Sequence, residues 1–269
     1  MRPAYGRYQV AEPLSALLRT HVHDGRPLRE VDWEPKVGVL DQSDLLAQSI
    51  RCSEFIPGAT DPDALGSCTA NGTTSALSNL LDEQDFLNLV GAPTYADVVA
   101  AEKWAISFYH QCSDQTGDPS QEWPPTDCGS SGPYIVSELK ALNLAAGDRI
   151  AHGADSIVSL MQDGGLLIGS PWLNDWEEPN SAGFIDGDGS VATLQQQIKD
   201  GVAGGHETFL SAVERLALTE TGRVIPERTV LRGRNSWSAR WGDHGSYRVY
   251  LSTLVALGQY CDFRLLVAR

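Results

Sequence analysis

The sequence predicts an α+β chain of two lobes, helical in front and strand-rich behind. Two observations predict it. Up to about residue 162 the apolar residues recur at helical spacing, and beyond Gly164 they gather in short extended runs. The expected division is an N-terminal extension over 1–60 and one domain over 61–269. Within that domain a helical lobe spans about 61–150 and a β lobe about 151–269, with a cleft between them. A chain of 269 residues suits one large domain or two lobes, and its 42% apolar content supplies a substantial core.

Taken in order, residues 1–60 read as irregular, with scattered prolines and short apolar stretches such as Val37 to Leu40. Gly66 and Ser67 lead into a helix in which Thr73, Leu77, Leu80 and Leu81 share a face, predicted to run to about Gly91 and Pro93. Thr94 reads as the N-cap of the next helix, with Val98, Ala101, Ala105 and Phe108 on one face. A loop rich in Pro, Ser and Gly follows over 113–132. A helix then begins near Tyr134 and closes around Gly147, and another covers 154–162. Strands are predicted over 166–171, 206–213, 229–235, 245–251 and 261–267.

Charge narrows the function classes. The formal net charge of −15 repels phosphate backbones and anionic membranes, so no nucleic-acid partner is expected. Apolar runs such as Leu166 to Ile168 are far shorter than the roughly 20 residues of a membrane span. The first fourteen residues carry charges and no apolar segment, so a Sec signal peptide is not expected and synthesis in the cytoplasm is. Five cysteines leave at least one free thiol, and none forms a C-x-x-C pair. Cys112 and Cys128 flank a loop and are close enough in sequence to pair, but reduced cysteines are the default in a cytosolic protein. No metal or cofactor is implied.

Three segments carry chemistry. In Leu65-Gly66-Ser67-Cys68-Thr69-Ala70-Asn71 a cysteine stands where a glycine turn enters a helix. The helix dipole there favours a thiolate, lowering the thiol pKa, and the Cys68 N–H is free to donate to an oxyanion. In Gly204-Gly205-His206 two glycines before a strand let a backbone approach and open the imidazole to a cleft. In Arg234-Asn235-Ser236-Trp237 the Asn235 oxygen can accept from the second imidazole nitrogen, fixing its tautomer, while Trp237 shields that bond from water. Trp241-Gly242-Asp243-His244-Gly245 follows.

Together these segments resemble those of papain-like cysteine peptidases, most closely the bacterial and bacteriophage branch. The similarity runs from about Asp61 to Tyr250, with weaker likeness at Gly169-Ser170-Pro171-Trp172 and over 127–131. His206 lies 138 residues after Cys68 and Asn235 a further 29 beyond. Papain-type chains place His and Asn about 130–150 residues after the cysteine. The resemblance implies a papain-like two-lobe fold, with Cys68 on the helical lobe and His206 and Asn235 on a β-barrel-like lobe. It implies a nucleophile, Cys68, a base, His206, and an orienting Asn235. Gly66, Ser67, Gly129, Ser130, Gly205 and Trp237 would hold an extended peptide.

Departures from the family pattern are specific. The glutamine that usually stands six residues before the nucleophile is Pro62 here. Gln42, in Val39-Leu40-Asp41-Gln42, matches the family's V-x-D-Q lead-in, and an insertion of about twenty residues before Ala64 accounts for the offset. On that reading Gln42 is the oxyanion donor. Ser238 replaces the usual glycine, and Glu207 follows the histidine where a small residue is common. Its carboxylate either stabilises an imidazolium or points to the other face of the strand. Residues 1–60 exceed what such a chain needs before its cysteine and are too short for a full inhibitory propeptide. They read as a strap across the β lobe or a partner-binding arm.

Several residues take ordinary readings. Cys52, Cys112, Cys128 and Cys261 read as small buried hydrophobes. His21 and His23 read as exposed strand histidines rather than metal ligands. Asp186-Gly187-Asp188-Gly189 reads as a tight turn, because Val191 and Gln197 spoil a calcium loop. Trp123, Trp172 and Trp176 read as packing, with a groove wall as the alternative. The resemblance implies peptide-bond hydrolysis by acyl transfer, in protein or in the peptide of the cell wall, in a phage or actinobacterium. A virion-associated protein, or one released on lysis, fits, with other virion proteins as partners. The alternative is a papain-like fold kept as a virion or tail component without strong catalysis.

Overall fold

A computed structural model describes residues 5–7, 20–113 and 122–269. The helical half comprises α1 (Cys68–Leu80), α2 (Glu83–Val90), α3 (Val98–Ser113) and α4 (Gly132–Ala141). α1 and α3 pack against each other, and α1 also lies on the sheet. Its core joins Leu77, Phe86, Ile106, Phe108 and Leu139 to residues from the segment before Cys68, including Val37, Leu40, Leu45, Ile50 and Ile56. So the chain from about residue 37 packs into this lobe.

The predicted long helix after Ser67 is in fact two. Apolar spacing continues across Leu81, but Asp82 leaves helical geometry and its carboxylate accepts from the Asp85 N–H at 2.9 Å, starting α2 afresh. Replacing Asp82 with alanine is expected to cost about 1 kcal/mol in thermal or urea unfolding, as loss of a side-chain cap does. α3 likewise begins later than Thr94 suggests, because the Asp97 carboxylate accepts from Ala100 N–H, while Thr94 merely closes a turn to Ala96.

The second half is built on one sheet. Its strands are β1 (Thr20–His21), β2 (Val31–Asp32), β3 (Gly147–Ala151), β4 (Leu166–Leu173), β5 (Val202–Arg215), β6 (Val230–Arg234), β7 (Ser246–Tyr250) and β8 (Asp262–Val267). Among the described residues the order is β1-β3-β8-β4-β5-β6-β7, with β2 on β5, and every pairing but β1 with β3 is antiparallel. Three helices complete this half: α5 (Ala154–Leu160), α6 (Val191–Asp200) and α7 (Leu251–Leu257). They cover a second core of Ile168, Trp172, Leu210, Leu231, Val249 and Phe263.

Other expectations are corrected here. Gly204 and Gly205 lie inside β5, not before it. His21 is buried, bonded through Nε2 to Ser159 Oγ at 2.9 Å and through Nδ1 to Arg149 at 2.5 Å, so it is a core histidine and not an exposed one. Asp186 does form a tight turn, its carboxylate accepting from Tyr250 N–H and Thr253 Oγ1. All five cysteines are free thiols. No helix among the described residues is long and apolar enough to cross a membrane.

Candidate active site

Cys68 is the first residue of α1, and its sulfur faces the sheet, where the backbone N–H of Glu207 reaches it. His206, one residue earlier on β5, is fully buried. Its Nε2 donates to Asn235 Oδ1 at 2.8 Å, and its Nδ1 has no hydrogen-bond partner among the described residues. Trp237 stacks on the imidazole at 4.8 Å between centroids, and Trp172 meets it edge-on at 4.8 Å. The aromatic walls therefore fix the ring plane and keep water from the His206–Asn235 bond, Trp172 doing so as a packed, buried residue.

Gln42 is carried to the same place despite its distance in sequence. Residues 45–63 form an excursion closed by Leu45 N–H donating to Asp63 O and Leu65 N–H to Gln42 O. Gln42 Nε2 donates to Leu65 O at 2.9 Å, and its Oε1 accepts from Ser236 Oγ at 2.5 Å. The buried amide thus joins the turn before Cys68 to the residue after Asn235. Pro62 is far along the excursion and takes no part in these bonds.

Buried polar braces, not legible in the sequence, hold this region. Glu102 on α3 accepts from Asn71 Nδ2 at 2.7 Å and from the Asp41 N–H at 2.9 Å. Asn71 in turn accepts from Ser67 Oγ, so the Ser67 hydroxyl points inward and does not line the groove. Asp127 accepts from Gly66 N–H at 2.8 Å and Tyr109 Oη at 2.7 Å, and Gly129 N–H donates to the same Tyr109 oxygen.

A piece of the chain itself fills the groove. Tyr5-Gly6-Arg7 passes between the lobes, with Ser130 N–H donating to Gly6 O at 2.6 Å and Arg7 N–H donating to Gly205 O at 3.0 Å. The Gly6 N–H lies on the Cys68 sulfur. Tyr5 meets His206 and Trp237 edge-on, and its hydroxyl donates to Glu177 at 2.6 Å. A cavity of about 640 Å³ borders Glu177 and Trp241 at this end of the groove. The fit is close. A Cβ on Gly6 would lie 1.4 Å from Gly66 O, and one on Gly205 would lie 1.9 Å from Arg7 O. Gly66, Gly129, Ser130, Gly205 and Trp237 all contact this segment. The described part of the expected strap thus runs through the cleft and not merely across the β lobe.

This cover reverses the expected thiol acidity. Burial pushes the Cys68 thiol up to about 12, against the amides of Glu207 and Gly6 that would favour a thiolate. Burial also lowers His206 to about 4, the Asn235 bond opposing it. Both shifts favour the neutral thiol and the neutral imidazole. Glu207 points away from His206, to the other face of β5, which rules out the imidazolium-stabilising alternative.

The α+β fold is papain-like in form, the helical half carrying Cys68 and the sheet half carrying His206 and Asn235. Xylellain, a cysteine protease from Xylella fastidiosa, superposes with a TM-score of 0.50 at 16% identity, covering 99% of this chain and 96% of its own. Procathepsin B S9 from Trypanosoma congolense gives 0.52 at 10% identity, over 97% of this chain and 85% of its own. No protein-family model and no curated protein sequence matches the chain.

Proposed function

We propose that the protein is a cysteine peptidase, hydrolysing peptide bonds through Cys68, His206 and Asn235, and kept closed by its own N-terminal strap. The observation that carries this is the His206 ring: Asn235 fixes Nε2, Nδ1 is left for a proton, and the next residue's amide rests on the Cys68 sulfur. When the strap leaves, water reaches both groups and their pKa values move toward each other. The thiol proton passes to His206 Nδ1, and the thiolate attacks a peptide carbonyl carbon. The oxyanion forms beside the Cys68 N–H and the Gln42 amide. His206 then gives its proton to the leaving amine, and water, deprotonated by His206, releases the acyl group from sulfur.

The substrate class follows the resemblance of the three segments to the bacterial and bacteriophage branch: protein, or the peptide part of the cell wall. Turnover of a labelled protein substrate tests the reading. Changing Cys68 or His206 to alanine is expected to abolish it. Gln42→Ala is expected to lower kcat by about 10²–10³ with little change in KM, as removal of one oxyanion donor does. Full turnover without Cys68 would overturn the proposal, and full turnover without the Gln42 amide would remove Gln42 from it.

A further inference from the structure

Glu102 on α3 ties together the two segments that carry the oxyanion donors. It is fully buried, and each of its carboxylate oxygens accepts one bond. Oε1 accepts from Asn71 Nδ2 at 2.7 Å, and Asn71 Oδ1 accepts from Ser67 Oγ at 2.8 Å. Ser67 is the N-cap of α1, yet its hydroxyl caps no backbone N–H there. One chain of bonds therefore runs from Glu102 to the residue just before the Cys68 N–H. Oε2 accepts from the Asp41 N–H at 2.9 Å, one residue before Gln42. A second chain therefore runs from Glu102 to the Gln42 amide, which is fixed in turn on Leu65 O and Ser236 Oγ.

Both partners of Glu102 are donors, and this limits what the carboxyl group can do in each protonation state. An ionised carboxylate accepts from both. A protonated one carries an O–H on one oxygen, which then faces a second donor, so one of the two bonds must slacken. Burial first, opposed by the bonds from Asn71 and Asp41, raises Glu102 to about 7, and the Asp41 charge pushes in the same direction as burial. Cys52, in the short helical turn Cys52–Glu54, also feels Glu102, but burial holds its thiol at about 11 and so uncharged near neutrality. The carboxyl is thus neutral below pH 7 and ionised above it.

We propose that Glu102 is a positioning residue for the oxyanion hole: its ionised carboxylate holds Ser67 and Asp41 so that the Cys68 N–H and the Gln42 amide converge, and protonation lets one of them drift. The effect on turnover rests on the peptidase reading above, while the coupling of Glu102 to Gln42 stands apart from it. Turnover of a labelled protein substrate is compared in the Gly6→Val chain with and without Glu102→Gln, between about pH 5.5 and about pH 8.5. A glutamine amide accepts through one atom and donates through the other, so it mimics the protonated carboxyl at every pH. The kcat of the glutamate chain is expected to match that of the glutamine chain at the acid end and exceed it about tenfold at the alkaline end, with KM unchanged. Titration of Cys68 and His206 cancels in the ratio. A ratio that is the same at every pH would mark Glu102 as a structural brace alone and overturn the proposal. A second measurement needs no turnover. In amide NMR spectra of the unchanged chain, the Asp41 N–H and the Gln42 side-chain amide, assigned by its loss in Gln42→Ala, should shift together with a midpoint near pH 7. Neither should shift with that midpoint in Glu102→Gln. A Gln42 amide that stays still while Asp41 titrates, or two signals that both stay still, would overturn the coupling even if the chain hydrolyses nothing. Absence of turnover in every chain, with both signals titrating, would sink the peptidase reading and keep the coupling.

Discussion

Replacing Gly6 with valine is expected to raise the rate of Cys68 alkylation by about tenfold or more, because it expels the strap and exposes a thiol that burial otherwise keeps protonated. The side chain has nowhere to go. Its Cβ would lie 1.4 Å from Gly66 O, and the Gly66 backbone is tied by its N–H to Asp127. Asp127 is tied in turn to Tyr109, which also holds Gly129 on the strap's other side. Neither wall can yield, so the strap must. Labelling followed by peptide mapping reads the result. An unchanged rate at Cys68 would mean the strap does not control access.

The second large effect concerns stability. Glu102→Ala is expected to cost about 2–5 kcal/mol in urea unfolding, since it strands the Asn71 amide and the Asp41 N–H in the core at roughly 1–3 kcal/mol each. Glu102→Gln keeps the shape and is expected to lose far less. The same residue predicts a pH dependence. Burial first, opposed by the bonds from Asn71 and Asp41, raises Glu102 to about 7. A carboxyl whose folded pKa lies above its unfolded one binds its proton more tightly when folded. Its stabilising contribution is present in full below the unfolded pKa of about 4.3 and is lost as pH rises through 7. Compared with Glu102→Gln, the unchanged chain should therefore gain about 2 kcal/mol between pH 8 and pH 5. A difference that is flat with pH would show that Glu102 is ionised in the fold.

How much of this was legible in the sequence depends on the kind of signal. The order of helices then strands, and the turn that delivers Cys68 to a helix start, are local patterns, and the structure follows them. The position of Gln42 was also readable, because Val39-Leu40-Asp41-Gln42 is a local motif even though residues 45–63 separate it from Cys68. The break between α1 and α2 was hidden because Leu80 and Leu81 continue the apolar spacing while a single Asp82 carboxylate restarts the helix. α6 was missed because it carries few apolar residues, of which Leu194 is buried while Val191 and Ile198 are exposed. The braces of Glu102 and Asp127 carry no sequence signal: a charged residue on a helix or loop is usually solvated. The acidity of Cys68 was misjudged for a related reason. The helix start favours a thiolate, but Tyr5-Gly6-Arg7, three residues with no periodicity, covers the sulfur, and desolvation outweighs the local field.

In the proposed mechanism Cys68 becomes a thiolate by giving its proton to His206 once the cleft opens. Iodoacetamide labelling of the Gly6→Val chain at pH 6, with all five cysteines mapped, tests it most directly. An ordinary thiol is only about 0.3% thiolate at that pH. Cys68 is expected to be labelled far faster than Cys52, Cys112, Cys128 or Cys261, and His206→Ala to remove the difference. Labelling of Cys68 no faster than that of the half-buried Cys128, or labelling that persists without His206, would contradict it.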